Sequence, residues 1–150
     1  MKKRTLESIL KIALKTFPVV LLNGARQVGK STLALDSFKN YITFDDGELR
    51  LYAKENPKGF LKNLELPICL DEIQKVPSVL EYIKMYIDSN KVIGDFLLTG
   101  SSNVLDHKDS KDTLAGRLCE LRLHPLSSKE KNDKPNENVI EKLLNRDFKL

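Results

Sequence analysis

An α/β fold, a parallel sheet covered by helices on both faces, is what the order of apolar segments predicts. Three observations carry that expectation. Five short apolar runs recur along the chain, segments with helical spacing lie between them, and the runs are nearly unbroken by polar residues, as strands buried on both faces require. With 150 residues, 41% apolar and 31% charged, the chain suits one domain with a sizeable core.

Residues 5–16 place Leu6, Ile9, Leu10, Ala13 and Leu14 at helical spacing. Phe17-Pro18 ends that helix because proline restricts the residue before it. Strands are expected at 19–23, 41–44, 68–70, 95–99 and 119–123, with Pro18 and Pro67 at or just before strand starts, where a missing N–H is tolerated. Helices are expected at 30–38, at 48–64 as a pair broken at Asn56-Pro57, at 78–89 on Val79, Leu80, Ile83 and Ile87, and at 104–117. After Pro125 the composition turns polar, so 127–138 reads as a solvated linker, and Val139, Ile140, Leu143 and Leu144 mark one short amphipathic helix. The expected organisation is a core at 1–126, with 127–150 as the start of a C-terminal region that the chain does not contain. No internal repeat is present.

The net charge of +4 comes from Lys and Glu in mixed order, whereas a nucleic-acid arm shows a run of one sign. Only Met1-Lys2-Lys3-Arg4 is such a cluster, and it reads as a solvated terminus. No apolar stretch approaches the ~20 residues of a membrane span, and Glu7, Ser8, Lys11 and Lys15 interrupt the first helix, unlike a signal peptide. A cytoplasmic protein without a membrane partner is expected. Cys69 and Cys119 lack partners at metal-ligand spacing and sit in strand patterns, which predicts buried thiols. His107 and His124 have no constellation around them and read as surface or packing residues.

Residues 24–31, GARQVGKS, follow a strand and open a helix, matching G-x-x-x-x-G-K-[ST], the Walker A pattern. Composition alone would produce it in a chain this long with a probability of about 1%. Gly24 and Gly29 allow backbone angles and a close approach that a Cβ would block, and the helix N-terminus faces the anion. The phosphate-binding set is then Gly24, Ala25, Arg26, Gln27, Val28, Gly29, Lys30, Ser31 and Thr32. Within it Lys30 reaches the β and γ phosphates, the Ser31 hydroxyl ligates Mg²⁺, and Arg26 contacts phosphate or lies over the nucleotide. The expected ligands are ATP or ADP with Mg²⁺.

Pro67-Ile68-Cys69-Leu70-Asp71-Glu72 is an apolar strand ending in two carboxylates, as a Walker B strand should. Asp71 is expected to hold Mg²⁺ and Glu72 to polarise the attacking water. Alternatively Asp71 caps the next helix and Glu72 is simply exposed. A second strand ends in Thr99-Gly100-Ser101-Ser102-Asn103, where either Ser101 or Ser102 senses the γ-phosphate or the stretch is a turn with a helix cap at Ser102 or Asn103. Arg117 precedes the fifth strand, where a cation at a helix C-terminus contributes about 0.3–1 kcal/mol.

Taken together, 22–33, 41–46, 70–77 with its Asp-Glu-Ile-Gln-Lys-Val-Pro, 96–102, Leu114-Ala115-Gly116-Arg117 and 123–127 resemble the prokaryotic AAA+ ATPases of poorly defined role, and the similarity covers about 19–127. The resemblance implies a three-layer P-loop NTPase core with strand order 5-1-4-3-2, and for Arg117 it implies, as the alternative to a helix-end cation, a finger that reaches a neighbour's γ-phosphate. It also implies a separate C-terminal domain resembling restriction-endonuclease folds, which these residues do not show. That order would set Cys69 and Cys119 three strand spacings apart, roughly 14 Å, too far for a disulfide.

The expected function is Mg²⁺-dependent ATP hydrolysis coupled to a C-terminal effector, with nucleic acid and a second copy of the chain as candidate partners. The competing reading is a switch that binds ATP with little turnover. Glu72 favours hydrolysis. A small-molecule kinase is disfavoured because no basic acceptor-binding cluster follows the loop. A GTPase is disfavoured because Asn90-Lys91-Val92-Ile93 lacks the Asp of a guanine-reading motif.

Overall fold

The unbroken apolar runs become strands that are buried on both faces. In the computed structural model, which describes residues 3–101 and 114–131, β1 (Val19–Asn23), β3 (Ile68–Asp71) and β4 (Phe96–Thr99) are buried at every position. They are flanked by the half-buried β2 (Asn40–Thr43) and the more open β5 (Leu118–Arg122). All pairings are parallel and the order is β2-β3-β4-β1-β5. The implied order 5-1-4-3-2 is therefore the observed one.

The period of two along each strand divides the core into two layers. Val19, Leu21, Ile68, Leu70, Phe96 and Leu98 face one side, where they pack with Ala53, Phe60, Leu80 and Ile83 of helices α3 (Gly47–Glu55), α4 (Pro57–Lys62) and α5 (Val79–Asn90). Their neighbours Val20, Leu22, Cys69 and Leu97 face the other, against Leu10 and Ala13 of α1 (Leu6–Leu14) and Leu33 and Ala34 of α2 (Lys30–Ser37). Because successive side chains point to opposite faces, an all-apolar strand fits only between two helical layers. The break between α3 and α4 falls at Asn56, which ends one helix and caps the next by accepting from the Gly59 N–H at 2.9 Å.

Three expectations need correction. Cys69 is buried, but Cys119 is only half-buried because β5 is an edge strand; both thiols are free and burial raises the pKa of each. Most of the helix expected at 104–117 lies outside the described residues, and its last part, 114–117, is a turn. The polar stretch after Pro125 does not begin as a solvated linker, since Ser128–Lys131 forms a short helix, α6, with Glu130 buried.

Nor is the basic N-terminal cluster wholly solvated. The Arg4 Nε lies 3.3 Å from Glu130 Oε1, and both side chains are more than nine-tenths buried. Burial pushes the Glu130 carboxyl up, but the Ser127 and Thr5 backbone N–H donors and the Arg4 charge outweigh it, holding the pKa at about 2 against an ordinary 4.5. A lowered pKa contributes stability above 4.5 that is lost as pH falls towards 2. Glu130→Gln should therefore flatten the dependence of melting temperature on pH across that window. A variant as acid-labile there as the parent would contradict the assignment.

Candidate functional site

In a parallel sheet the loops at the C-terminal strand ends gather on one edge, and the residues after β1, β3 and β4 meet there. Asn23, the last residue of β1, turns the chain: its Oδ1 accepts from the Gly24 N–H at 2.7 Å and its Nδ2 donates to Glu120 on β5 at 3.0 Å. Gly24 has φ +152°, and a Cβ there would lie 2.4 Å from the Leu123 carbonyl oxygen, so the loop leaves the sheet only through a glycine. Gly29, at φ +97°, is the left-handed residue that starts α2.

Lys30 is buried inside its own loop, where its Nζ donates to the carbonyls of Gly24 at 3.0 Å and Ala25 at 2.8 Å. These bonds hold a cation at the centre of a ring of backbone. A cavity of about 540 Å³ opens beside it, lined by Arg26, Gln27, Ser31, Thr32, Asp45 and Glu72 among others. Across the loop lies a second cavity of about 490 Å³, which shares Arg26, Gln27, Gly29 and Thr32 and adds Arg4 and the apolar Val28, Leu33, Pro125 and Leu126.

Asp71 ends β3 and is buried, yet three hydroxyls converge on its carboxylate. Ser31 Oγ donates to Oδ2 at 3.2 Å, the Tyr41 hydroxyl donates to the same oxygen at 2.5 Å, and Thr99 Oγ1 donates to Oδ1. Burial, and then the Asp71 carboxylate that it serves, raise the Tyr41 pKa, keeping the phenol a donor. The oxygens of Ser31 and Asp71 are hard donors within one ion's reach, which suits Mg²⁺. No group of three or more His, Cys, Asp or Glu residues is placed to hold a metal among the described residues. Mg²⁺ fits such a set because it is usually bound by one or two protein oxygens together with substrate phosphates.

Glu72 follows in the left-handed conformation, φ +58°. That backbone turns the chain sharply off the strand and sets the side chain on the cavity wall rather than in the sheet. Its Oε2 accepts from Gln74 Nε2 at 2.5 Å, while Gln74 Oε1 is buried without a hydrogen bond. Opposite, Lys75 pairs with Asp45.

The structure thus brings together the loop residues 24–32, Asp71 and Glu72. Ser101 is half-buried two residues beyond β4, and Ser102 and His107 lie outside the described residues. Arg117 is not brought to this edge. It precedes β5 at the opposite end of the sheet, and its Nε donates to Asp88 of α5 at 2.6 Å.

Sequence reasoning missed Tyr41, Thr99 and Arg4. Thr99 carried a signal, being the polar end of an apolar strand. Tyr41 carried none without the register, which pairs it with Cys69 and so makes Asp71 its diagonal neighbour on the same face.

A family model described as an AAA domain matches residues 16–132. Uncharacterized proteins of Mycobacterium bovis and Mycobacterium tuberculosis are each 30% identical over 132 residues, which is 86% of this chain and 30% of theirs. The chain therefore spans less than a third of the length of these curated relatives. Among solved structures, AMPPCP-bound DnaA from Aquifex aeolicus shares the fold, with a TM-score of 0.50, 15% identity, and coverage of 95% of this chain and 51% of that one.

Proposed function

The chain belongs to the AAA domain family, and from that premise we propose that this nucleotide-binding core binds ATP with Mg²⁺ on the loop at 24–32 and hydrolyses it to ADP and phosphate. The observation that carries the reading is the convergence of Lys30, the Ser31–Asp71 oxygen pair and the Glu72 carboxylate on one edge of the sheet. A binding protein alone needs the first two. The carboxylate is the part that hydrolysis requires.

Each group has one task. Lys30 exchanges its two carbonyl partners for phosphate oxygens, and the N-terminus of α2 adds its unpaired N–H groups. Ser31 and Asp71 would hold Mg²⁺, which when bound neutralises phosphate charge. Thr99 and Tyr41 fix the Asp71 carboxylate, so its orientation is set before ligand arrives. Glu72 takes the proton of the attacking water, and the Gln74 amide holds its carboxylate on the wall. Arg26 lies between the two cavities, and the apolar second cavity takes the base and sugar. Ser101, just beyond β4, orients the water from the opposite side. Arg117, paired to Asp88 away from its own loop, serves a neighbouring copy. On the resemblance of the sequence motifs, the same reading couples this core to a C-terminal effector domain, with nucleic acid as a candidate target.

Phosphate release from ATP, with Mg²⁺ and with excess chelator, across a range of protein concentrations, tests all of this. Release that requires Mg²⁺ is expected, with a rate per chain that rises as copies associate. Binding without release would favour a switch, and a rate per chain independent of concentration would remove Arg117 from the mechanism.

A further inference from the structure

Three parts of the chain far apart in sequence meet at Arg4. Its Nη1 donates to the Val28 carbonyl at 2.9 Å, its Nη2 to the His124 carbonyl at 2.5 Å, and its Nε to Glu130. The first partner lies in the phosphate loop, the second just after β5, and the third in α6. Glu130 in turn accepts from the Thr5 N–H at 2.9 Å and the Ser127 N–H at 2.8 Å, while the Glu130 N–H donates to Ser127 Oγ at 3.2 Å. The reciprocal Ser127–Glu130 pair is a capping box. The described turn of α6 has its N-terminal N–H groups served by this box, so the start of the helix depends on what the Glu130 carboxylate holds.

The contact with Val28 acts on the loop through peptide geometry. A trans peptide is planar, so the Gly29 N–H points opposite to the Val28 carbonyl. Binding that carbonyl to a buried guanidinium therefore fixes the direction of the Gly29 amide, in the residue that starts α2. Gly29 supplies no side-chain restraint and its φ of +97° is open to rotation in a way other residues are not. Some other group must hold the peptide.

We propose that Arg4 is a positioning residue for the phosphate loop and that Glu130, by holding Arg4, couples the order of residues 127–131 to nucleotide binding. The coupling rests on the nucleotide-binding reading above, and linkage makes it reciprocal: nucleotide on the loop should order 127–131 by the same factor by which an ordered 127–131 tightens nucleotide. The segment leading away from the core would then report the state of the site without touching it.

Arg4→Lys keeps the charge but cannot make three bonds in a fixed fork, and Glu130→Gln keeps the shape but loses the charge. Hydrogen exchange is followed in the nucleotide-free chain, together with calorimetric titration of ADP. Both variants should speed exchange of the Leu33 amide, which the Gly29 carbonyl protects at 3.0 Å, and of the amides at 127–131 by about tenfold or more, the scale of one charge-assisted hydrogen bond, while β1 amides keep the parental rate. Both should weaken ADP, and the double variant should fall short of the product of the two effects, as residues acting in one network do. ADP should slow exchange at 127–131 in the parent only. The proposal is overturned if 127–131 loosens while the Leu33 amide exchanges at the parental rate, because the contact then merely ties down the N-terminus. Should the parent bind no ADP, the nucleotide reading fails by that titration, and the exchange rate at Leu33 still decides whether Arg4 holds the loop.

Discussion

Lys30→Ala should reduce ATP affinity by about a hundredfold or more while leaving the fold intact. Among the described residues the side chain donates to the Gly24 and Ala25 carbonyls, and the adjoining cavity gives water access to them once the ammonium is gone. The free protein therefore loses little. The bound state loses more, because hydrogen bonds from an ammonium to phosphate are charge-assisted and contribute about 1.5–3 kcal/mol each. Calorimetry with ATP measures the loss, and a melting temperature near the parent's separates it from unfolding. Unchanged affinity would show that the loop at 24–32 is not where nucleotide binds.

Glu72→Gln should show the complementary behaviour, with ATP bound as tightly as by the parent and phosphate release slower by about 10²–10⁴-fold, the contribution of a positioned general base. The substitution is close to isosteric and keeps a γ-methylene side chain on the left-handed backbone, so strain at this position is unchanged. An amide oxygen still accepts from Gln74 Nε2, which preserves the local hydrogen bond. Only the capacity to take a proton is removed. Single-turnover release at the parental rate would make Glu72 a structural residue and remove the general base from the proposed mechanism.

Much of this arrangement is legible in the sequence because its causes are local. The strand Val19–Asn23, the loop that follows it and the helix break at Asn56-Pro57 each depend on residues within a few positions of one another, and Gly24, Gly29 and Asn56 act there as their chemistry requires. The acidic strand end at Asp71-Glu72 is legible for the same reason. What escapes is set by register and by chain crossing. Thr99 and Tyr41 reach Asp71 only because β3 lies between β4 and β2, and Arg4 reaches Val28 only because the chain's first residues fold over its loop. The half-exposure of Cys119 could have been read from its neighbours, since Glu120 and Arg122 break the apolar run that a doubly covered strand needs.

The left-handed backbone at Glu72 sets limits on stabilising this protein by engineering. Among the described residues three non-glycine positions have positive φ: Gln27 at 63°, Glu72 at 58° and Lys91 at 50°. At each, a side chain with a Cβ costs roughly 1 kcal/mol relative to the right-handed region. Lys91 ends α5, the ordinary place for such a residue, where glycine is the usual occupant. The other two line the cavity beside Lys30. A glycine introduced to relieve the strain is therefore harmless at 91 and removes the carboxylate at 72, so stability can be raised at 91 without touching turnover and only at the expense of turnover at 72.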